Sequence, residues 1–270
     1  MISKRETTLY VYCLVAGEIK MKIALCFSGQ PRFVNECSPL IKSNVMQNYD
    51  IDVFAHLWFD DELQTQPYKH GGDGNWEKQR IEGGAIDDFI KTYNPTDLLV
   101  EPSKFFGDPD LDADFELSEK KHWAGGIENQ PDFQKRQINN SLSYFYSLCE
   151  SNRLRKLYEY ENKVKYDYVI RCRTDSQIHQ AVRYEQYDPR CIHFTALQAP
   201  PPFLNDWFNF GGSEAMEAFM GVFPMLRNLM MHSKAKWEGT WCIELLHVEL
   251  LERMGIPLQR HPFHVTLPRF

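Results

Sequence analysis

Hydrophobic and polar positions along the chain follow two periods, short apolar runs of strand length and longer stretches repeating every three to four residues. Lys22 to Phe27 is the first apolar run, and the polar loop Ser28-Gly29-Gln30-Pro31-Arg32 separates it from a helical pattern over Phe33 to Asn48. Asp52 to Phe59 reads as a second strand with His56 inside it, and a histidine so placed is ordinarily a core residue. Pro67 to Gly84, rich in Gly, Lys and Asp, reads as a loop able to act as a lid. Ala85 to Tyr93 is a short helix stopped by Asn94-Pro95, and Asp97 to Glu101 is a third strand closed by Pro102. Phe105 to Asp132 has no period and is assigned no regular structure. Phe133 to Asn162 carries the strongest helical pattern, its stripe formed by Leu142, Phe145, Tyr146, Cys149, Leu154 and Leu157.

The next run, Tyr166 to Asp175, YDYVIRCRTD, is an apolar strand that passes into Arg171, Arg173 and Asp175 without a turn residue. Alternation along a strand predicts these three on one side and Cys172 on the other. Arg190 to Thr195 is a further strand, Ala199 to Pro202 a stiff polyproline turn, and Asn205 to Gly212, NDWFNFGG, an aromatic strand. Ser213 to Met231 is a helix with Ser213 as its N-cap, Lys234 to Gly239 a loop, and Thr240 to Met254 a last helix ended by Gly255.

Strands alternating with helices predict a single α/β domain, a Rossmann-like mixed and mostly parallel sheet flanked by helices. In such sheets ligands meet the carboxyl ends of the strands. Two guanidiniums and a carboxylate at the end of the YDYVIRCRTD strand therefore predict a phosphate and metal site, the other reading being a structural Arg–Asp pair. The loop Ser28 to Arg32 has the strand–loop–helix setting that turns backbone amides towards phosphates, with Arg32 available to reach one. Its lone glycine is not GxGxxG, which removes a nicotinamide or flavin dinucleotide enzyme from the readings. Asn139, near the start of the long helix, is a candidate nucleotide contact or a solvent-facing polar residue.

The composition narrows this further. A net charge of −7 over 270 residues argues against a general nucleic-acid binder. The seven cysteines lack CxxC spacing and read as small buried hydrophobes in a reducing, cytoplasmic compartment. No apolar run reaches the roughly 18 residues that a membrane span requires. Met21 opens a complete first strand, so residues 1–20 read as an N-terminal extension or a mis-assigned start before a domain over 21–270. Glu244 and His247 share a helix face without a second histidine, a poor zinc site.

The blocks KIALCFSGQPRFV, DVFAHLW, NNSLSYFYSLCESNRLRKLYE, YDYVIRCRTD and FNFGGSEAM, in this order and spacing, resemble a bacterial and viral group of glycosyltransferases, over roughly Lys22 to Gly255. The resemblance implies the GT-A, nucleotide-diphospho-sugar transferase fold, a nucleotide-sugar donor, and a glycan or lipid-linked acceptor in the cytoplasm, with room for peripheral membrane contact. GT-A enzymes typically carry a DxD motif at a strand end; the matching position here is Arg173-Thr174-Asp175, so Asp175 alone would ligate Mn²⁺ or Mg²⁺. Ser28, Gly29, Gln30, Arg32, Asn139, Arg171, Arg173 and Asp175 would hold the donor. Asp206 and Glu244 are the candidates for deprotonating an acceptor hydroxyl, and Trp207, Phe208, Trp237 and Trp241 for stacking on sugars. The alternatives are a nucleotidyltransferase on a related fold and a catalytically silent glycan- or nucleotide-binding relative.

Overall fold

The computed structural model describes residues 21–60, 68–70, 77–79, 81, 83–107, 131–195, 203–233, 236–237, 240–241 and 243–268. The extension over 1–20, the proline turn 199–202, half of the loop expected over Pro67 to Gly84 and most of the irregular stretch after Phe105 lie outside the described residues.

The apolar runs become β1 Lys22–Gly29, β2 Asp50–Trp58, β5 Asp97–Glu101 and β6 Tyr168–Cys172, while β3 Tyr68–His70 and β4 Glu77–Gln79 pair as a short antiparallel hairpin within the stretch expected to be a loop. Beyond them come β7 Gln177–Ile178, β8 Ile192–Thr195, β9 Phe208–Gly212, β10 Lys236–Trp237, β11 Thr240–Trp241, β12 Leu258–His261 and β13 Val265–Thr266. A seven-stranded sheet runs β12-β8-β9-β6-β1-β2-β5. β6, β1, β2 and β5 are parallel, β9 is antiparallel to both neighbours, and β12 is parallel to β8. The predicted α/β class with a mixed, mostly parallel sheet is what forms.

The helices are α1 Val34–Ile41, α2 Ala85–Tyr93, α3 Pro131–Asn162, α4 Ser213–Met220, α5 Phe223–His232 and α6 Ile243–Arg253. Strand alternation divides the core between the two faces. Ile23, Leu25 and Phe27 pack with Val34 and Cys37 of α1 and Phe89 of α2. Ala24, Cys26 and Phe54 pack with Leu142, Phe145 and Leu148 of α3 and with α4 to α6. A strand covered on both faces must be apolar throughout, which is why β1 reads as a continuous run.

Several predicted elements are corrected. The helix expected over Ser213 to Met231 is two, because Gly221 closes α4 with its amide on the Glu217 carbonyl and Pro224 opens α5. Ser213 is the first helical residue and Gly212 the N-cap; the Ser213 hydroxyl instead accepts from Arg155 Nη1 at 2.8 Å. The last helix starts at Ile243, since Thr240 and Trp241 pair with Lys236 and Trp237 as a short hairpin. The predicted helix over Phe33 to Asn48 is α1 with Pro39 inside it, followed by a wider π-helical turn over Lys42–Met46.

On α3, Leu157 faces solvent while Arg155 is fully buried, the reverse of their hydropathy. The Arg155 guanidinium is matched by Asn152 Oδ1, Ser213 Oγ and, at 3.0 Å, Glu159. Gly255 ends α6 as expected, with φ of 68° and the Ile256 amide returning to the Leu251 carbonyl in a Schellman closure.

Gly29, at the end of β1, has φ of 110° and open space where a Cβ would stand. The cost of a side chain there is therefore one of backbone alone. Gly29→Ala is expected to lower unfolding free energy by about 1 to 3 kcal/mol, read by urea denaturation; an unchanged midpoint would show that the loop relaxes freely.

Candidate functional site

The chain runs outward from β1 through β2 to β5, then crosses by α3 to β6 on the other side of β1. The carboxyl ends of β1 and β6 thus flank the switch point where an open α/β sheet leaves a crevice. Three segments distant in sequence meet there. The loop after β1 is laced to the turn after β6: the Arg32 amide donates to Thr174 Oγ1 at 3.0 Å, and that hydroxyl donates to the Gln30 carbonyl at 3.1 Å. Arg171 Nε donates to Ser28 Oγ at 3.3 Å. The segment before β9 joins them: Trp207 O accepts from the Arg173 amide and the Ser176 hydroxyl, while the Trp207 amide is held by Asn205 Oδ1.

The expected alignment of Arg171, Arg173 and Asp175 does not hold, because β6 ends at Cys172 and residues 173–176 form a turn. Arg171 keeps strand geometry and lies on the α3 side with Val169, opposite Cys172. Asp175 instead curls back on Arg173, receiving Nε at 2.8 Å and Nη2 at 2.7 Å. Arg173 Nη1 reaches Asp206 at 3.4 Å. Burial opposes the Arg173 charge, but the Asp175 and Asp206 carboxylates outweigh it and hold the guanidinium charged above its ordinary range. The structural Arg–Asp pair that the sequence left open is therefore formed.

A divalent metal was expected on Asp175. The carboxylate is 1 % exposed with both oxygens on Arg173, so as arranged it does not fit a metal ligand, and no cluster of three His, Cys, Asp or Glu able to hold an ion occurs among the described residues.

The loop amides are also engaged. The Gly29 amide donates to Ser147 Oγ of α3 at 2.8 Å, and Gln30 Oε1 accepts from Arg32 Nε at 2.8 Å. Asn139 uses its Oδ1 to hold the Phe106 amide at 2.7 Å. Glu244 stands half-buried in the first turn of α6, and Tyr144 of α3 feels the charges of Arg171, Asp206, Glu244 and Arg173 together. Phe208 is core, not a sugar platform, and Trp207 is half-buried. The Trp237 and Trp241 side chains lie outside the described residues.

Sequence reasoning missed Tyr144, Ser147, Asn209 and Glu101. His56, buried as expected, receives Ser147 Oγ on Nδ1 at 2.8 Å and presents Nε2 to Glu101 at 2.9 Å. This Ser–His–Glu chain has the residue types of a hydrolytic triad with the two ring nitrogens exchanged, and Ser147 is 1 % exposed with its oxygen also holding the Gly29 amide. It braces the crevice loop rather than attacking anything. A cavity of about 740 Å³ opens at the other end of the strands, lined by Met21, Asn44, Tyr49 and Arg183, remote from every residue above.

No known protein-family model matches the chain, and no curated protein matches its sequence.

Burial pushes the Glu101 carboxyl up, but hydrogen bonds from Lys104, His56 and Tyr146 outweigh it and lower its pKa from 4.5 to about 2. A carboxyl depressed on folding stabilises above its unfolded value and loses that contribution as pH falls through the folded one. Melting temperature is therefore expected to fall between about pH 4.5 and 2, and to fall less in Glu101→Gln. Parallel curves for the two proteins would remove Glu101 as the brace of His56.

Proposed function

We propose that the chain is a glycosyltransferase with the GT-A fold, moving a sugar from a nucleotide-sugar donor to a glycan or lipid-linked acceptor. The observation that carries this reading is the convergence of Ser28, Arg171, Arg173 and Asp206 at the switch-point crevice. Departure of a nucleoside diphosphate builds negative charge, and a preorganised cation in a low-dielectric recess offsets it. Arg171 is the guanidinium placed for that task, since Arg173 is neutralised by two carboxylates. A carboxylate must take the acceptor proton if transfer inverts, and Asp206 or Glu244 suits this role.

The Arg173–Asp175 pair favours a second reading, a glycan- or nucleotide-binding relative without catalysis, because it occupies the one carboxylate of the metal motif. A Mn²⁺ or Mg²⁺ ion would have to draw Asp175 away from Arg173, so no step is assigned to it here. The two readings differ in turnover.

Purified protein with Mn²⁺ is expected to release a nucleoside diphosphate slowly from at least one member of a nucleotide-sugar panel, with Asp206→Asn or Glu244→Gln lowering the rate about 10²- to 10⁴-fold. Binding without release selects the silent relative. Neither binding nor release across the panel would end the transferase reading. Asp175→Ala separates the metal question from the fold: lost release at an unchanged melting temperature assigns Asp175 to the reaction, whereas a lowered melting temperature assigns it to the Arg173 pair.

A further inference from the structure

Among the described residues, seven buried side-chain polar atoms make no hydrogen bond, and five of them belong to one cluster: Arg171 Nη1, Tyr144 Oη, Asn209 Oδ1 and both ring nitrogens of His247. The four residues come from four elements and meet behind the crevice. Arg171 and Asn209 stand opposite each other in the β6–β9 register. The Arg171 guanidinium lies over the Tyr144 ring at 5.1 Å, and Tyr144 and His247 have ring centroids 5.7 Å apart. His247 stacks on Phe219 at 4.1 Å; the Phe219 backbone comes near it without hydrogen-bond geometry. Burial and the Arg171 charge hold the imidazole neutral, its pKa lowered to about 3.

Buried polar groups are almost always paired, so several unpaired ones in contact call for a partner that the fold itself does not supply. The charge is the sharper anomaly. Arg171 is 1 % exposed, its one guanidinium hydrogen bond is the long 3.3 Å contact to Ser28, and it forms no ion pair among the described residues. Arg155, as deeply buried, has Glu159 at 3.0 Å. A buried guanidinium without a carboxylate is costly unless something of opposite charge completes it.

The unpaired atoms define what that is. Arg171 and Tyr144 offer donors, matched to an anionic oxygen. Asn209, whose Nδ2 is already on the Asn205 carbonyl at 2.7 Å, leaves Oδ1 as an acceptor. An acceptor beside a cation calls for a hydroxyl next to the anion, and the guanidinium supplies the positive charge that receives it. We propose that Arg171, Tyr144 and Asn209 form a receptor for a single anionic group carried by a hydroxylated ligand, an acidic or phosphorylated sugar. The choice of a sugar as the hydroxylated body rests on the glycosyltransferase reading; the receptor itself does not.

The test is calorimetric titration of the protein with glucuronate, glucose 1-phosphate and glucose, against Arg171→Met and Tyr144→Phe. At least one of the anionic sugars is expected to bind more tightly than glucose, and which of the two does so identifies carboxylate or phosphate as the group received. Arg171→Met is expected to lose about 10- to 100-fold in affinity for it, the range for a charged hydrogen-bond partner, and Tyr144→Phe less. The unliganded Arg171→Met protein should melt at the parent temperature or above, because an unpaired buried charge has been removed. Anionic sugars that bind no better than glucose, or that bind both variants as tightly as the parent, would overturn the proposal. A lower melting temperature in Arg171→Met with no change in affinity would make Arg171 structural and overturn it equally; if Arg171→Met does not fold, Tyr144→Phe decides. Receptor binding with no turnover of any nucleotide sugar would leave the receptor standing and remove the transferase, whereas turnover with no anionic sugar bound better than glucose would remove the receptor and leave the transferase.

Discussion

Parallel pairing of β1 with β6 is the constraint on which the rest depends. Their register sets Ile23 to Phe27 against Tyr168 to Cys172, so β6 ends beside Phe27, two residues before β1 ends at Gly29, and Arg171 reaches Ser28. Because the chain leaves β1 towards β2 on one side and returns by α3 to β6 on the other, no crossover covers the ends of this pair. The same geometry places α3 across the strands, bringing Tyr144 to Arg171 and Ser147 to Gly29.

Three arginines, Arg155 and Arg171 buried and Arg173 half-buried, show how local partners decide what a guanidinium does. Arg155 is matched by Glu159, Asn152 and Ser213 and fastens α3 to α4. Arg173 is matched by Asp175 and Asp206 and fixes the turn after β6 to the segment before β9. Arg171 has only an aromatic face and a distant serine hydroxyl. The first two are complete within the fold, and the third, with no ion pair among the described residues, is the one for which we propose a ligand. The Arg–Asp pair of YDYVIRCRTD is formed by Arg173 with Asp175, which leaves Arg171 as the residue on which the proposed ligand site rests.

Helices and strands with an apolar period were legible because burial on two faces imposes that period on the residues themselves. β1, β2, α2, the long α3 and the end of α6 at Gly255 all follow from it. Illegible were the features that depend on a distant partner. Arg155 reads as solvent-exposed until α4 supplies Ser213, and the break at Gly221 reads as mid-helix until α4 and α5 turn over α3. β7, β12 and β13 have no apolar signature because each is a short edge or satellite pair.

For the site, the sequence alone determined that charged residues follow an apolar strand and that a glycine-containing polar loop follows β1, since both are local arrangements of side chains along one backbone. Only the tertiary structure decided the partners: that Asp175 folds back on Arg173 once the strand ends, that the loop amides are taken by Ser147 and Thr174, and that Tyr144, Asn209 and His247 gather round Arg171. The reason is that strand parity extends only as far as the strand does, and an unpaired charge can be recognised only when every neighbour that might have paired it has its place.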